Sequence, residues 1–121
     1  MRTNRLGAIF FASLALAGCA DPGEGAHFER ARKLGDPAAI AVNRFIVIND
    51  RAPRDLRELT PNYLTEKQFR VLSESAYIKI EYTPGRGREF ALNMYYQGPG
   101  TNECAYVADS SPPEWDCYGS Y

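Results

Sequence analysis

Residues 76–96 read AYIKIEYTPGRGREFALNMYY, and the spacing of their apolar side chains decides the fold. Ile78, Ile80 and Tyr82 alternate with Lys79 and Glu81, while Phe90, Leu92, Met94 and Tyr96 alternate with Glu89, Ala91 and Asn93. A period of two gathers one set on one face of a strand, so both stretches are predicted as half-buried strands. Pro84-Gly85-Arg86-Gly87 separates them. For the two apolar sets to share a face, cross-strand partners must keep matching parity. Pairing Tyr82 with Phe90 and Ile80 with Leu92 does so and leaves a loop at 85–87, where Gly87 is free to take positive φ.

Downstream, Gly98-Pro99-Gly100 turns the chain again, and residues 103–108 and 114–118 are expected to form a last hairpin. Setting Cys104 opposite Cys117 places Tyr106 opposite Trp115, an aromatic pair on one face. Ser110-Ser111-Pro112-Pro113 supplies a loop in which the prolines need not donate to a ladder.

Upstream the period becomes helical. Residues 27–34 (HFERARKL) read as a short helix that Gly35 interrupts. Asp36-Pro37 reads as a fresh helix start, with Asp at the N-cap and Pro in the first turn. Ala38, Ala41, Val42, Phe45 and Ile48 then follow near helical spacing, and Ile40, Ile46 and Val47 widen the stripe, so much of this helix is expected to be covered. A strand at 45–48 is the alternative, and Asn49-Asp50 should end the element. Pro53 can open a second short helix with Leu56 and Leu59 facing the core. Pro61 stops it, and Tyr63 and Leu64 act as anchors. Thr65 and Gln68 have capping-box spacing, which favours a helical turn at 66–72. Helices followed by four antiparallel strands make an α+β fold, with the N-terminal helix or helices packed on one face of a four-stranded antiparallel sheet.

The first residues have a different character. Arg2 and Arg5 precede the apolar run Leu6–Leu16, after which come Ala17, Gly18 and Cys19. The run is far shorter than the roughly 20 residues that span a bilayer as a helix, so an export signal is the better reading. Leu16-Ala17-Gly18-Cys19 resembles the lipobox of bacterial lipoprotein signals. That resemblance implies cleavage before Cys19, a diacylglyceryl group on its thiol and acylation, with palmitate for example, of the new amino group. The alternative is an ordinary secretory signal with an incidental cysteine. In many Gram-negative lipoproteins a residue other than Asp after the cysteine permits passage to the outer membrane, and here that residue is Ala20. The implied organisation is a signal peptide at 1–18, a lipidated Cys19 with a tether to residue 35, and a globular domain at 36–121. The implied location is the cell envelope, lipid-anchored at the outer membrane and facing the periplasm.

With Cys19 claimed by lipid, Cys104 and Cys117 remain. In an oxidising compartment they are expected to form one disulfide; two free thiols or a metal pair is the competing reading. Zinc would want further Cys or His ligands, and the single histidine, His27, is far away in sequence. No cofactor is called for. Without Arg2 and Arg5 the chain keeps 12 basic residues against 15 acidic ones, a net charge of about −3. Nucleic acid requires a concentrated basic surface and is not an expected partner.

The stretch from Ala41 to Leu64 weakly resembles the region after the long helix of type IV pilins and type II secretion pseudopilins. The helix there ends in a polar turn (Phe45 to Asp50), and Pro53, Leu56 with Leu59, and Pro61 with Tyr63 and Leu64 follow. The resemblance implies a helix on an antiparallel sheet with a late disulfide. Pilins carry a prepilin leader and a long apolar helix where this chain has a lipobox and a tether, so what it implies is a pilin-like head attached to a lipid.

Residues that could carry chemistry are sparse. His27 reads as an ordinary exposed side chain. Asp55 with Glu58, and Glu114 with Asp116, are acidic pairs too close in sequence to straddle a sugar-sized cleft, and read as solvated charge. Arg51, Arg54 and Arg57 are interleaved with acids that cancel most of their field. Gly85-Arg86-Gly87 and Gly98-Pro99-Gly100 lack the spacing and following helix of a phosphate loop. Aromatic density is the better signal: Tyr95, Tyr96, Tyr106, Trp115, Tyr118 and Tyr121 fall in the last 27 residues. Strand alternation prevents all of them from facing a helix, and exposed Tyr and Trp favour interfaces. The alternative is strand propensity and self-packing. The expectation is a non-enzymatic envelope lipoprotein with a binding or structural role, a pilin-like head that meets a protein or surface partner through these aromatics. The runner-up is a periplasmic inhibitor or accessory factor that uses loop 98–102 or 109–114 as a plug.

Overall fold

A computed structural model describes residues 21–119. Its first element, α1, runs unbroken over Gly25–Asn49. A 3₁₀ turn at Leu56–Leu59 and a second helix, α2, at Glu66–Glu74 follow. Four strands complete the chain: β1 (Ile78–Pro84), β2 (Phe90–Tyr96), β3 (Glu103–Tyr106) and β4 (Trp115–Tyr118). They form one antiparallel sheet in the order β1-β2-β3-β4.

The helix corrects the expected break at Gly35 and the expected fresh start at Asp36-Pro37. Phe28, Ala31 and Gly35 before the proline, and Ala38, Ala39, Val42 and Phe45 after it, are all buried in the core that holds Ile78, Leu92 and Met94. Pro37 lacks the N–H of a regular turn. Burial on both sides of it outweighs that local loss. Gly35 serves close approach: a Cβ there would stand 2.6 Å from Met94 Sδ. Asp36 caps nothing; its carboxylate accepts from Trp115 Nε1 at 2.8 Å and from Arg32 Nε at 3.2 Å. The boundary expected at 35/36 therefore lies inside a helix, and residues 25–35 belong to the fold rather than to a tether.

The first hairpin also differs from expectation. Tyr82 pairs with Leu92, Ile80 with Met94 and Pro84 with Phe90, a shift of two residues that keeps parity. The loop is therefore 85–89, closed by the Gly85 N–H on the Glu89 carbonyl at 2.7 Å, with Gly87 at φ +58°. Pro84 lies on an edge strand, where it need not donate.

The second hairpin has the expected register, with Cys104 opposite Cys117 and Tyr106 opposite Trp115. Cys104 and Cys117 are disulfide-bonded. A bridge across a loop of this length contributes roughly 3 kcal/mol in the chain-entropy picture.

Asp50 ends α1 in the left-handed region at φ +56°. Asp55 accepts from the Glu58 N–H at the start of the 3₁₀ turn, Leu59 and Leu64 are buried, and Thr65 with Gln68 completes a capping box at the start of α2. That helix is longer than the single turn expected. Coverage of α1 falls short of expectation: Ile40, Val47 and Ile48 are 44%, 79% and 70% exposed.

Candidate functional site

Both helices pack on one side of the sheet, through Leu72 of α2 and the buried residues of α1. Among the described residues neither helix covers the other side. Residues opposite one another across all four strands there are Lys79, Tyr95, Glu103 and Tyr118, which form a single rung. The next rung toward the far end of the sheet is Glu81, Asn93, Ala105 and Asp116. Alternation along each strand puts these side chains on the face away from Ile78, Met94, Cys104 and Cys117.

The Tyr95 hydroxyl lies 2.9 Å from Glu103 Oε1 and 3.3 Å from Glu81 Oε2. Its single proton favours the shorter contact. Glu103, through this hydrogen bond, pushes the Tyr95 phenol up to about 12, because ionisation would set a phenolate against a carboxylate. The Tyr118 phenol is raised for the same first cause, its hydrogen bond with Glu103. Lys79 Nζ sits 3.1 Å from Glu81 Oε1 and holds that carboxyl below its ordinary range. Three carboxylates therefore face one ammonium, interleaved with phenols that stay neutral at physiological pH. Such an array suits cationic and hydrogen-bonding groups. A raised phenol is a poor nucleophile and a poor base near neutral pH.

Of the six aromatic side chains expected to bind a partner, the structure leaves two on the open face: Tyr95, half-buried, and Tyr118, 53% exposed. Tyr96 is buried against Phe28 on the helix side, and its hydroxyl accepts from the Gly23 N–H at 3.1 Å. Tyr106 stacks on Phe90 and meets Trp115 edge-on; Asn43 Nδ2 donates to its hydroxyl at 2.6 Å, and the hydroxyl donates to the Ser110 carbonyl. Trp115 is bonded to Asp36. These three pack on the helix side of the sheet, Tyr96 buried and Tyr106 and Trp115 half-buried. Tyr121 and Cys19 lie outside the described residues.

Lys79, Glu81 and Glu103 were not singled out in the sequence. Their parity with Tyr95 and Tyr118 was the available signal, since in a strand every second residue shares a face. The uncovered Ile40, Val47 and Ile48 were likewise missed as a surface, although α1 carries more apolar positions than one buried face can take.

The remaining candidates resolve simply. His27 sits in the first turn of α1, exposed; the Tyr77 hydroxyl donates to its carbonyl at 3.0 Å and lies 3.1 Å from its Nδ1. Glu58 pairs with Arg51 and Arg54, and Arg57 lies over the Phe69 ring, so the arginine run is spent on local contacts. Among the described residues no group of three or more His, Cys, Asp or Glu side chains could hold a metal ion, and no helix is long and apolar enough to cross a membrane. No family model, curated protein or solved structure matches the chain.

Proposed function

We propose that this chain is an envelope lipoprotein, acylated at Cys19, whose domain binds a protein partner through the open face of its sheet without performing catalysis. The anchor rests on Leu16-Ala17-Gly18-Cys19 behind the short apolar run. The binding role is carried by one observation: Tyr118, 53% exposed, shares a rung with Tyr95, Glu103 and Lys79 on a sheet face that neither helix covers. Tyrosine offers a large amphipathic contact area at low conformational cost. The surrounding Glu81, Glu103 and Asp116 favour a partner that brings Lys or Arg. The long helix on an antiparallel sheet with a late disulfide is also the arrangement that the pilin-like resemblance implies.

The test is affinity capture from detergent-solubilised envelopes with the intact protein and a Tyr95→Ala/Tyr118→Ala variant. Loss of a reproducible partner is expected in the variant, with cooperative thermal unfolding above the capture temperature showing that it is still folded. An identical partner set in both would contradict the sheet-face reading.

Loop 107–114 supports an inhibitory plug as a second reading. It is braced by the Ser110 hydroxyl, which donates to the Val107 carbonyl at 2.7 Å and accepts from the Glu114 N–H at 2.9 Å. Preorganised loops lose little entropy on insertion into a cleft. Stoichiometric protein that leaves envelope hydrolases uninhibited would remove this reading.

A further inference from the structure

We propose that the outer face of α1 lies along an anionic phospholipid bilayer, the same one that holds the chain's own lipid. The inference rests on acylation of Cys19 as proposed above. Helical spacing sets Lys33, Ile40, Arg44 and Val47 on the side of α1 opposite the residues it buries, with Ile48 beside them. Ile40, Val47 and Ile48 are 44%, 79% and 70% exposed. Lys33 and Arg44 are exposed, and among the described residues neither makes an ion pair. Glu29 and Asp36 share Arg32, at 3.7 and 3.2 Å, so this trio keeps one negative charge against the two positive charges of Lys33 and Arg44.

Charge and reach identify the occupant. Cations interleaved with apolar side chains are what an interfacial helix offers to anionic headgroups. Six peptide steps join Cys19 to Gly25, so α1 begins within about 21 Å of the acylated residue. The Gly23 N–H on the Tyr96 hydroxyl ties that entry to the body of the domain. From there α1 runs for 25 residues, about 37 Å, and carries Val47 and Ile48 near its far end. The acyl chains therefore hold one end of the helix at the bilayer, and the basic-apolar stripe supplies a second contact at the other. Three apolar side chains are too few to hold a membrane alone, so the stripe acts only with the acyl chains. In this pose the acidic sheet face, on the opposite side of the two-layer fold, turns away from anionic lipid and toward a partner.

The test uses the full-length mature protein, purified from membranes and reconstituted in phosphatidylcholine vesicles with and without phosphatidylglycerol. A trace of phosphatidylethanolamine carries a photoreactive headgroup, and cross-linked peptides are mapped by mass spectrometry. Cross-links in peptides covering 30–48 that intensify with phosphatidylglycerol are expected. They should be lost in a Val47→Asp/Ile48→Asp variant whose thermal midpoint is unchanged, as both positions are largely solvated. Cross-links confined to 21–27 and 97–101 would mean that the domain stands on its tether, and would overturn the pose. Cross-links on 91–95 or 116–118 would overturn it by placing the sheet against lipid. Intact mass of the same preparation separates the two levels: an unmodified Cys19 removes the anchor and the pose together, whereas an acylated Cys19 with the wrong cross-links removes the pose alone.

Discussion

Trp115 Nε1 donates to Asp36 Oδ1 at 2.8 Å, joining the edge strand β4 to the middle of α1 across 79 residues of chain. The same carboxylate accepts from Arg32 Nε, so one side chain orders both a helix turn and the last strand. Asp36→Ala removes both bonds and leaves the half-buried indole N–H without its acceptor. A hydrogen bond to a charged group contributes about 1.5–3 kcal/mol, and a loss in that range is expected in urea unfolding, with a change in Trp115 emission. An unchanged midpoint would show that Asp36 acts only as surface charge.

Gly35 is the point at which α1 meets the sheet. A Cβ built there falls 2.6 Å from Met94 Sδ and 3.6 Å from Trp115 Cζ2. Met94 is fully buried, so its sulfur has little room to yield. Gly35→Val is expected to destabilise by about 1–3 kcal/mol, the usual range for an overfilled core. If the residue were a helix break, as its position before Asp36-Pro37 suggests in sequence, the substitution would be neutral or stabilising. Thermal unfolding distinguishes the two.

Glu58 sets an acid-side dependence. Its carboxylate accepts from Arg51, and partial burial opposes this while the Arg54 amide and guanidinium reinforce it. The net effect holds the group at about 2, against an ordinary 4.5. A depressed folded value means that the contribution is fully present above about 4.5 and is lost as pH falls toward 2. Glu58→Gln should lower stability in the neutral region and leave it little changed near pH 2, which flattens that part of the stability–pH curve. Chemical unfolding at several pH values checks it; an unaltered acid limb would show that the Arg51 pair contributes nothing measurable.

Tyr95 sets the opposite sign on the alkaline side. Glu103 pushes its phenol up to about 12, so its contribution is present below the ordinary value of 10 and is lost as pH rises through about 12. Glu103→Gln is expected to bring Tyr95 and Tyr118 back toward 10, followed by ring carbon shifts in an NMR titration. Titration of both rings unchanged in the variant would contradict the rung geometry.

Much of the fold was legible where local chemistry and tertiary packing agree. Alternation at 78–82 and 90–96 identified the strands, Thr65 with Gln68 marked the start of α2, and the disulfide with Tyr106 and Trp115 gave the last register. The first hairpin shifted by two because parity alone cannot separate registers that differ by two residues. Gly35, Asp36 and Pro37 misled because each has a local meaning that burial of α1 against Met94 and Trp115 overrides. The site was half-legible for the same reason. Density of aromatics pointed to β2, β3 and β4, but only the face assignment separates Tyr95 and Tyr118 from Tyr96, Tyr106 and Trp115. That assignment brings in Glu81 and Glu103, which look like scattered surface acids in sequence.

The most direct measurement is intact mass of the protein purified from native membranes. The expected species begins at Cys19 with a diacylglyceryl group and an amide-linked acyl chain, and has Cys104 and Cys117 oxidised. A chain that begins at Met1, unmodified at Cys19, would contradict it.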